Sequence, residues 1–252
     1  MKNNIYKEEK SMTRQFKINV YGDSVLKGIM YDPEKGKYVP GHGNAVEALS
    51  KLFGILINNY SKFGATVNEI RKLAESDLEK GYVCDYAVIE LGGNDCDCDW
   101  AAISADPDGV HYPKIKADEY EKKLTELIAF LRSRNVTPIL TTVPPVDPDR
   151  YLDHVCRRGL NKENILKWLG GTSQTISRTQ EFYSAINAKV AKETGCLICD
   201  CRGPFLRKRY FRNLMCEDGI HPTEKGQKLI TDTFYRFIEE NFGKSCAGAV
   251  TA

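Results

Sequence analysis

The segment Ile18-Asn19-Val20-Tyr21-Gly22-Asp23-Ser24 decides the fold of this 252-residue chain. It begins inside the run Lys17–Tyr21, which is close to continuously apolar and is therefore typical of a strand covered on both faces. Gly22-Asp23-Ser24 is a tight exit from that strand, and Val25–Met30 could begin a helix. This order predicts that Ser24 lies at the carboxyl edge of a parallel sheet, where ligands bind in open α/β sheets.

Four further apolar runs resemble this strand, and segments with an apolar stripe at helical spacing lie between them. The predicted strands are Lys17–Tyr21, Phe53–Asn58, Tyr86–Leu91, Pro138–Val143 and Leu197–Cys201, and the predicted helices are Val67–Glu79, Tyr120–Arg134, Thr179–Glu193 and Glu224–Phe242. Strands that alternate with helices indicate a parallel sheet with helices on both faces. No repeat or linker interrupts the pattern, so we expect one domain over 17–243, an N-terminal extension over 1–16 and a C-terminal tail over 244–252.

Two longer stretches, Cys96–Ala117 and Pro144–Ser177, do not fit this alternation. Both leave from carboxyl ends of predicted strands and should therefore overhang the same edge of the sheet. The second contains a short amphipathic piece around Asn164–Leu169. Long loops in this position are often lids or specificity elements, and the alternative is plain surface decoration.

Composition excludes several classes of protein. Hydrophobic residues make up 42% and charged residues 28% of the chain, which is ordinary for a globular protein. The net charge of +2 gives no case for nucleic-acid binding. The locally basic run Arg202–Arg212 predicts a solvated face, with a site for an acidic ligand as the alternative. No stretch reaches the roughly 20 apolar residues of a membrane span, and Met1–Lys17 lacks the apolar core of a signal peptide, so we expect a cytoplasmic location, with secretion left open.

The nine cysteines are expected to be free thiols, because their number is odd and no secretory signal accompanies them. Cys196–Cys201 has the pattern of a buried strand, in which cysteine behaves as a small hydrophobic residue. A zinc site there is the weaker alternative, since its spacing does not match the usual Cys-x₂₋₄-Cys pairs on loops. We predict neither a metal nor a cofactor.

The Ser24 hydroxyl needs a base before it can act as a nucleophile, and otherwise a serine here is a helix N-cap. The chain offers four histidines: His42, His111, His154 and His221. His221 follows Asp218 by three residues, with a glycine between them, in Asp218-Gly219-Ile220-His221-Pro222. One turn can bring the carboxylate to Nδ1 and leave Nε2 facing a serine, which is the orienter and base of a catalytic triad. The alternative is that Asp218 only caps a turn.

Acyl transfer also needs donors for the developing oxyanion. Leu91-Gly92-Gly93-Asn94-Asp95 ends the third strand, and its glycines allow the Asn94 amide to project as a donor. Gly64 precedes the helix predicted from Val67 and could present its backbone N–H. The alternatives are a plain glycine turn and a flexible loop. Asp23 and Asp95 are better suited to bracing these loops than to two-carboxylate chemistry.

Together these segments resemble the SGNH hydrolase family, also called GDSL-type esterases and lipases, over about Lys17 to Phe242. The matching blocks are Gly22-Asp23-Ser24, Phe63-Gly64-Ala65-Thr66, Gly92-Gly93-Asn94-Asp95 and Asp218-Gly219-Ile220-His221-Pro222. Val25-Leu26 departs from the family, which often has Leu followed by a small or polar residue there. The resemblance implies an α/β fold, namely a flavodoxin-like three-layer α/β/α sandwich with a five-stranded parallel sheet in the order 2-1-3-4-5.

The resemblance also implies roles for individual residues. Ser24 would be the nucleophile, His221 the base and Asp218 the orienter, while the Ser24 N–H, the Gly64 N–H and the Asn94 side chain would form the oxyanion hole. The α/β-hydrolase motif Gly-x-Ser-x-Gly is excluded, because Leu26 stands where its last glycine would be.

We therefore predict a serine-dependent carboxylic-ester hydrolase that forms an acyl-enzyme with a small-molecule ester. A short-chain or O-acetyl ester, possibly of a carbohydrate, is expected because the site loops lack a long apolar stripe and the loop Trp100–Tyr112 is polar and aromatic. Trp100 and His111 could reach the substrate from that loop. An acyltransferase, a lysophospholipase or thioesterase with the same site, and a catalytically silent carbohydrate-binding module are the alternatives. The sequence gives no oligomeric state.

Overall fold

A five-stranded parallel sheet forms the centre of the computed structural model, which describes residues 16–41 and 43–243. The strands are β1 (Ile18–Gly22), β2 (Ile29–Asp32), β3 (Lys37–Pro40), β4 (Ile57–Asn59), β5 (Tyr86–Glu90), β6 (Thr137–Thr141) and β7 (Leu197–Cys199). The sheet has the order β4-β1-β5-β6-β7, and β2 and β3 form a separate antiparallel hairpin. Without the hairpin this order is 2-1-3-4-5, which confirms the predicted sandwich.

Helices cover both faces of the sheet. They are α1 (Ser24–Lys27), α2 (Ala45–Phe53), α3 (Val67–Glu79), α4 (Trp100–Ala105), α5 (Ala117–Ser133), α6 (Pro148–Cys156), α7 (Lys162–Trp168), α8 (Gln174–Thr194), α9 (Gly203–Leu206) and α10 (Glu224–Phe242). Side chains from α3, α5 and α8 pack on one face, and side chains from α1, α2, α9 and α10 pack on the other.

The register of the strands explains why they are apolar throughout. Val20 of β1 pairs with Val88 of β5, and both side chains join the apolar cluster on the α10 face. The next residues along these strands, Tyr21 and Ile89, pair with each other and join the cluster on the α5 face. Because successive side chains of a strand point to opposite faces, a sheet buried on both faces needs apolar residues at every position.

The predicted strand Phe53–Asn58 is wrong at its start, because Phe53 is the last residue of α2. Asn44 caps that helix by accepting from Glu47 N–H, and Gly54 ends it with φ of 61°. The apolar residues of α2 recur at helical spacing and face the core. The strand that follows is only Ile57–Asn59.

The hairpin was not predicted, since Val25–Met30 could begin a helix, and neither were α2, α4, α6 and α9. The helix begins at Ser24 but ends at Lys27, because Gly28 adopts φ of 77° in close contact with Asn44. A Cβ at Gly28 would lie 2.2 Å from the Asn44 Cβ, so only glycine fits there. The chain then reverses through β2 and β3, which lie beside the carboxyl edge of the sheet.

The two long stretches contain short helices and are not plain loops. Cys96–Ala117 contains α4, and Pro144–Ser177 contains α6 and α7. They share an apolar cluster that includes Ile103, Leu152 and Ile165, each at most 2% exposed. These helices therefore form a packed cap above the carboxyl edge.

The basic run Arg202–Arg212 is only partly a solvated face. Arg202 is 9% exposed and donates to the Val143 carbonyl and to Gln180 Oε1. Arg212 pairs with the buried carboxylate of Asp147. These two arginines therefore join α6, α8 and the loop before α10.

Eight cysteines lie within the described residues, and all eight are free thiols, as expected. Across 16–41 and 43–243, no helix is both long enough and apolar enough to cross a membrane. The segment 1–15, the residue His42 and the tail 244–252 lie outside the described residues.

Candidate active site

Ser24, His221 and Asp218 form a continuous hydrogen-bonded line at the carboxyl edge of the sheet. Ser24 Oγ lies 2.9 Å from His221 Nε2, and His221 Nδ1 lies 2.5 Å from Asp218 Oδ2. A carboxylate only accepts, so Nδ1 carries the proton and Nε2 is free to accept one from Ser24. Asp218 and His221 are buried, at 0% and 2% exposure. This arrangement can draw the proton from the serine hydroxyl and stabilise the resulting imidazolium.

A tight turn holds Asp218 against His221. Asp218 Oδ1 accepts from the backbone N–H groups of Ile220 and His221, each at 3.2 Å. Gly219 adopts φ of 78°, and a Cβ on it would lie 2.5 Å from the carbonyl oxygen of Asp147. The Asp147 N–H in turn donates to the Gly219 carbonyl at 2.8 Å. The turn is therefore clamped against the start of α6, which fixes the direction of both side chains.

Asp23 links the serine to the third sequence block. Its Oδ1 accepts from Val25 N–H at 2.8 Å, which caps α1 directly after the strand. Its Oδ2 accepts from Asn94 Nδ2 at 2.9 Å. One carboxylate thus positions the turn that carries Ser24 and the amide of Asn94 at the same time.

One amide and two backbone N–H groups are the candidate oxyanion donors; Asn94 and Ser24 line the cavity, whereas Gly64 does not. Asn94 lines the cavity beside Ser24, and its amide has a second N–H besides the one bound to Asp23. Gly64 lies in the exposed loop after β4 with φ of 72°, and its N–H meets no acceptor within the described part of the chain. Ser24 is the first residue of α1, where a backbone N–H has no partner inside the helix.

Asp95 braces these loops from below, as the sequence indicated. Its two carboxylate oxygens accept from Val67 N–H at 2.8 Å and from Gly92 N–H at 3.1 Å. Burial raises the pKa of Asp95 to about 7, and the two backbone donors oppose that rise. Asp95 therefore joins the loop that bears Gly64 to the loop that bears Asn94.

Glu90 is a buried carboxyl group that the sequence reasoning missed. It ends β5, is 1% exposed, and its Oε2 accepts from Asp23 N–H at 3.3 Å. Burial and the neighbouring Asp23 carboxylate raise the pKa of Glu90 well above its usual range. Burial also raises the pKa of Asp23. The only signal in the sequence is an acidic residue inside an otherwise apolar run, Tyr86–Leu91.

Two aromatic rings enclose the imidazole of His221, and neither was predicted. The Phe63 ring stacks on it with centroids 6.0 Å apart and 12° between planes, and the Tyr38 ring lies 4.9 Å away. Tyr38 OH also lies 2.9 Å from Nε2 of His154, and burial raises the pKa of Tyr38 to about 12. Tyr38 belongs to β3, so its position depends on the unpredicted hairpin.

A cavity of about 220 Å³ opens directly beside Ser24, Asn94 and His221. The cap helices enclose it, and most of its other walls are apolar. Trp100 lines this cavity, and its Nε1 donates to Asp97 Oδ1 at 2.8 Å. His111 does not line the cavity; its ring packs edge-on against the ring of Trp168, with centroids 5.9 Å apart. Of the two predicted loop residues, the structure brings only Trp100 to the site.

No cluster of three or more histidine, cysteine or acidic side chains within the described ranges is placed to hold a metal. Cys199 and Cys201 have their sulfur atoms 4.0 Å apart, and both are buried among apolar side chains. Because burial makes these thiols part of the core, they resemble packing residues rather than ligands.

Comparison with known proteins finds solved structures with a similar fold and one matching family model. Solved structures with a similar fold include a lipase/acylhydrolase from Enterococcus faecalis (TM-score 0.63, 16% identity, covering 90% of this chain and 96% of that one). They also include LAE5, an α/β hydrolase enzyme from the metagenome of Lake Arreo (TM-score 0.61, 22% identity, covering 94% of this chain and 97% of that one). A third is Axe2, an acetylxylan esterase from Geobacillus stearothermophilus (TM-score 0.60, 20% identity, covering 88% of this chain and 94% of that one).

At such low sequence identity, these structural matches show a shared fold and no more. Among curated proteins, none matches this chain in sequence. The family model, in contrast, matches residues 20–229, which span every segment that contributes to the site. The chain belongs to the GDSL-like lipase/acylhydrolase family.

Proposed function

We propose that this esterase is a serine-dependent carboxylic-ester hydrolase that works through an acyl-enzyme on Ser24. The observation that carries the proposal is the line from Ser24 Oγ through His221 to Asp218, with contacts of 2.9 and 2.5 Å, at the mouth of a cavity. Nucleophile, base and orienter are all within hydrogen-bond reach, which is the geometric requirement for this chemistry.

The proposed reaction has two halves. His221 Nε2 accepts the Ser24 proton as Oγ bonds to the ester carbonyl carbon, while Asp218 stabilises the imidazolium. The N–H groups of Ser24 and Gly64 and the Asn94 amide stabilise the oxyanion. The ester C–O bond then breaks, and His221 gives its proton to the leaving alcohol. Water then attacks the acyl carbon while His221 accepts its proton, the bond between the acyl carbon and Ser24 Oγ breaks, and His221 returns that proton to Oγ as the free acid leaves.

A short acyl chain is the proposed acyl part of the substrate. An O-acetyl ester of a carbohydrate is one candidate, which the likeness in fold to a protein described as an acetylxylan esterase favours. The sequence-based reason for so small a group does not hold in the folded chain. The loops lack an apolar stripe along the sequence, but Val146, Leu169 and Ile176 converge on the cavity from different segments.

Replacing Ser24 with alanine tests the mechanism. We expect Ser24→Ala to lower kcat on p-nitrophenyl esters by roughly 10⁴-fold or more, because within 16–41 and 43–243 only the Ser24 hydroxyl forms a hydrogen bond with His221 Nε2. Ser133→Ala, an exposed serine at the end of α5, is the matched control and should keep full activity. Unchanged turnover by Ser24→Ala would refute the proposal.

Two further measurements separate the alternatives. A fluorophosphonate probe should label the wild-type protein and not Ser24→Ala, whereas a silent binding module would stay unlabelled. Products formed in the presence of acceptor sugars separate hydrolase from transferase. We expect free acid as the main product, and dominant transfer to the sugar would assign an acyltransferase instead.

A further inference from the structure

The cavity beside Ser24 is larger and more apolar than an acetyl group requires. It extends from Ser24 and Asn94 between the cap helices and the start of α8. Its volume is about 220 Å³. A cavity of about 150 Å³ with apolar walls holds a benzene molecule, which has six carbon atoms. By the same ratio this cavity holds about eight or nine non-hydrogen atoms, whereas an acetyl ester supplies about four, counting both ester oxygens.

The walls of the cavity are built from apolar side chains of separate elements. Val146, Leu169 and Ile176 line it and are each at most 8% exposed. Trp100 and Trp168 also line it, with their rings edge to face and the centroids 6.4 Å apart. Such a surface stabilises a ligand by removing its apolar area from water.

Several polar groups in the wall already have hydrogen-bond partners within the protein. Trp100 Nε1 and Tyr151 OH both donate to Asp97 Oδ1, at 2.8 and 2.7 Å. Gln180 Oε1 accepts from the Arg202 guanidinium at 3.0 Å. A polar ligand such as a sugar would have to compete with these bonds, whereas a hydrocarbon chain would leave them intact.

His221 lines the cavity and also contacts the rings of Phe63 and Tyr38, so it lies at the boundary between the cavity and the solvent-exposed side of the site. The leaving alcohol must face His221 Nε2 to receive its proton, and the acyl group lies on the other side of the carbonyl carbon. Phe63 and Tyr38 pack on the His221 ring but do not line the cavity. Phe63 is 53% exposed, so the alcohol side of the site opens toward solvent.

We propose that this cavity is an acyl pocket for an unbranched apolar acyl group of about six carbons, so that the preferred substrate is a hexanoyl-type ester rather than an acetyl ester. This inference rests on the proposed function, since it assigns the acyl side of the same site. A hexanoyl ester places about eight non-hydrogen atoms in the cavity, counting both ester oxygens, which matches its volume.

A chain-length series of p-nitrophenyl esters from C2 to C12 tests the pocket on the wild-type protein. We expect kcat/KM to rise by about fourfold for each methylene that enters the pocket, reach a maximum near C6 and fall beyond C8. A maximum at C2, a flat profile, or a maximum at C10 or longer would overturn the proposal.

Ile176→Trp places a larger side chain in the pocket and tests whether Ile176 forms part of its wall. We expect the ratio of hexanoate to acetate kcat/KM to fall at least tenfold. Leu206→Trp, at a position 54% exposed on α9, is the matched control and should leave that ratio unchanged. Ile176→Ala is the second variant, because it does not crowd the core; it enlarges the pocket and should move the maximum to longer chains. An unchanged maximum in Ile176→Ala would overturn the assignment of the wall.

The failure of the pocket and the failure of the proposed function give different results. If the function is wrong, no ester in the series is hydrolysed and the fluorophosphonate probe does not label Ser24, which removes the acyl pocket as well. If only the pocket is wrong, the probe labels Ser24 and acetate is hydrolysed, but the length profile shows no maximum near C6.

Discussion

At the scale of single residues, the site depends on carboxyl groups that do not take part in the reaction. Asp23 accepts from the helix that begins at Ser24 and from the Asn94 amide, and Asp95 accepts from the two loops on either side. The turn that carries Ser24 and the Asn94 amide are thus both held by hydrogen bonds to buried carboxylate oxygens. Such support keeps donors fixed before the substrate arrives, which is what oxyanion stabilisation requires.

Loss of the Asn94 amide should slow the chemical step. We expect Asn94→Ala to lower kcat by about 10²–10³-fold with little change in KM, as for other single oxyanion donors. Asn213→Ala, at an exposed asparagine away from the cavity, should change neither constant. Steady-state kinetics on a p-nitrophenyl ester measures both. A rise in KM with an unchanged kcat would show that Asn94 only binds substrate.

Glu90 and Asp23 lie together in the core, and the buried pair retains a proton because two adjacent carboxylates cannot both ionise at low cost. The folded chain holds the pKa of Glu90 above its unfolded value, so the proton stays bound while the unfolded chain loses it. The resulting stabilisation is complete below about pH 4, the unfolded pKa, and is lost as the pH rises toward the folded pKa.

Glu90→Gln should therefore gain stability relative to the wild type as the pH rises from 5 to 8. The amide has the shape of the neutral acid and does not titrate. The limiting slope is about 1.4 kcal/mol per pH unit for one proton. Urea unfolding at several pH values measures it, and Glu75→Gln, on the surface of α3, is the control. Parallel pH dependences for Glu90→Gln and the wild type would contradict a protonated Glu90.

At the scale of elements, the helices whose apolar residues recur at helical spacing over several turns could be predicted from the sequence, whereas the hairpin could not. The bounds of α3 and α10 agree with their predicted bounds, because each has an apolar stripe of several turns and a threonine cap. The hairpin is two strands of four residues, and its start depends on the contact between Gly28 and Asn44. A contact between distant residues leaves no local pattern, so Tyr38 could not be placed beside His221.

The turn that bears His221 has no room for one added carbon atom at Gly219. We expect Gly219→Ala to lower kcat by at least tenfold, because a Cβ there meets backbone atoms of Asp147 and Tyr151 at 2.5 and 2.7 Å. The turn must move, and Asp218 and His221 move with it.

Gly195→Ala is the matched control for that substitution. Gly195 also has a positive φ, of 65°, but nothing lies within 4 Å of an added Cβ. It should cost on the order of 1 kcal/mol of stability from backbone strain and leave kcat unchanged. Thermal unfolding and kinetics on both variants make the comparison. Equal losses of kcat in the two would show that backbone strain alone, and not the clamp against α6, sets the effect.

At the scale of the whole molecule, the sequence predicted the strand order and the residues that meet at the edge, but not the shape of the space above them. Ser24, Asn94 and His221 follow strands or precede a helix, so the geometry of a parallel sheet brings them together. The cavity arises instead from α4, α6, α7 and α8, whose apolar residues are scattered through the sequence. The size of the acyl group could therefore not be read from any one segment.

The contact between Ser24 and His221 joins residues 197 positions apart. Ser24 is synthesised before His221, which follows the last strand of the sheet. A nascent chain therefore carries an inert serine until almost all of the fold has assembled. Recovery of hydrolysis after dilution from denaturant should then report the folding step that brings the end of β1 against the turn before α10, since the proposed mechanism needs both.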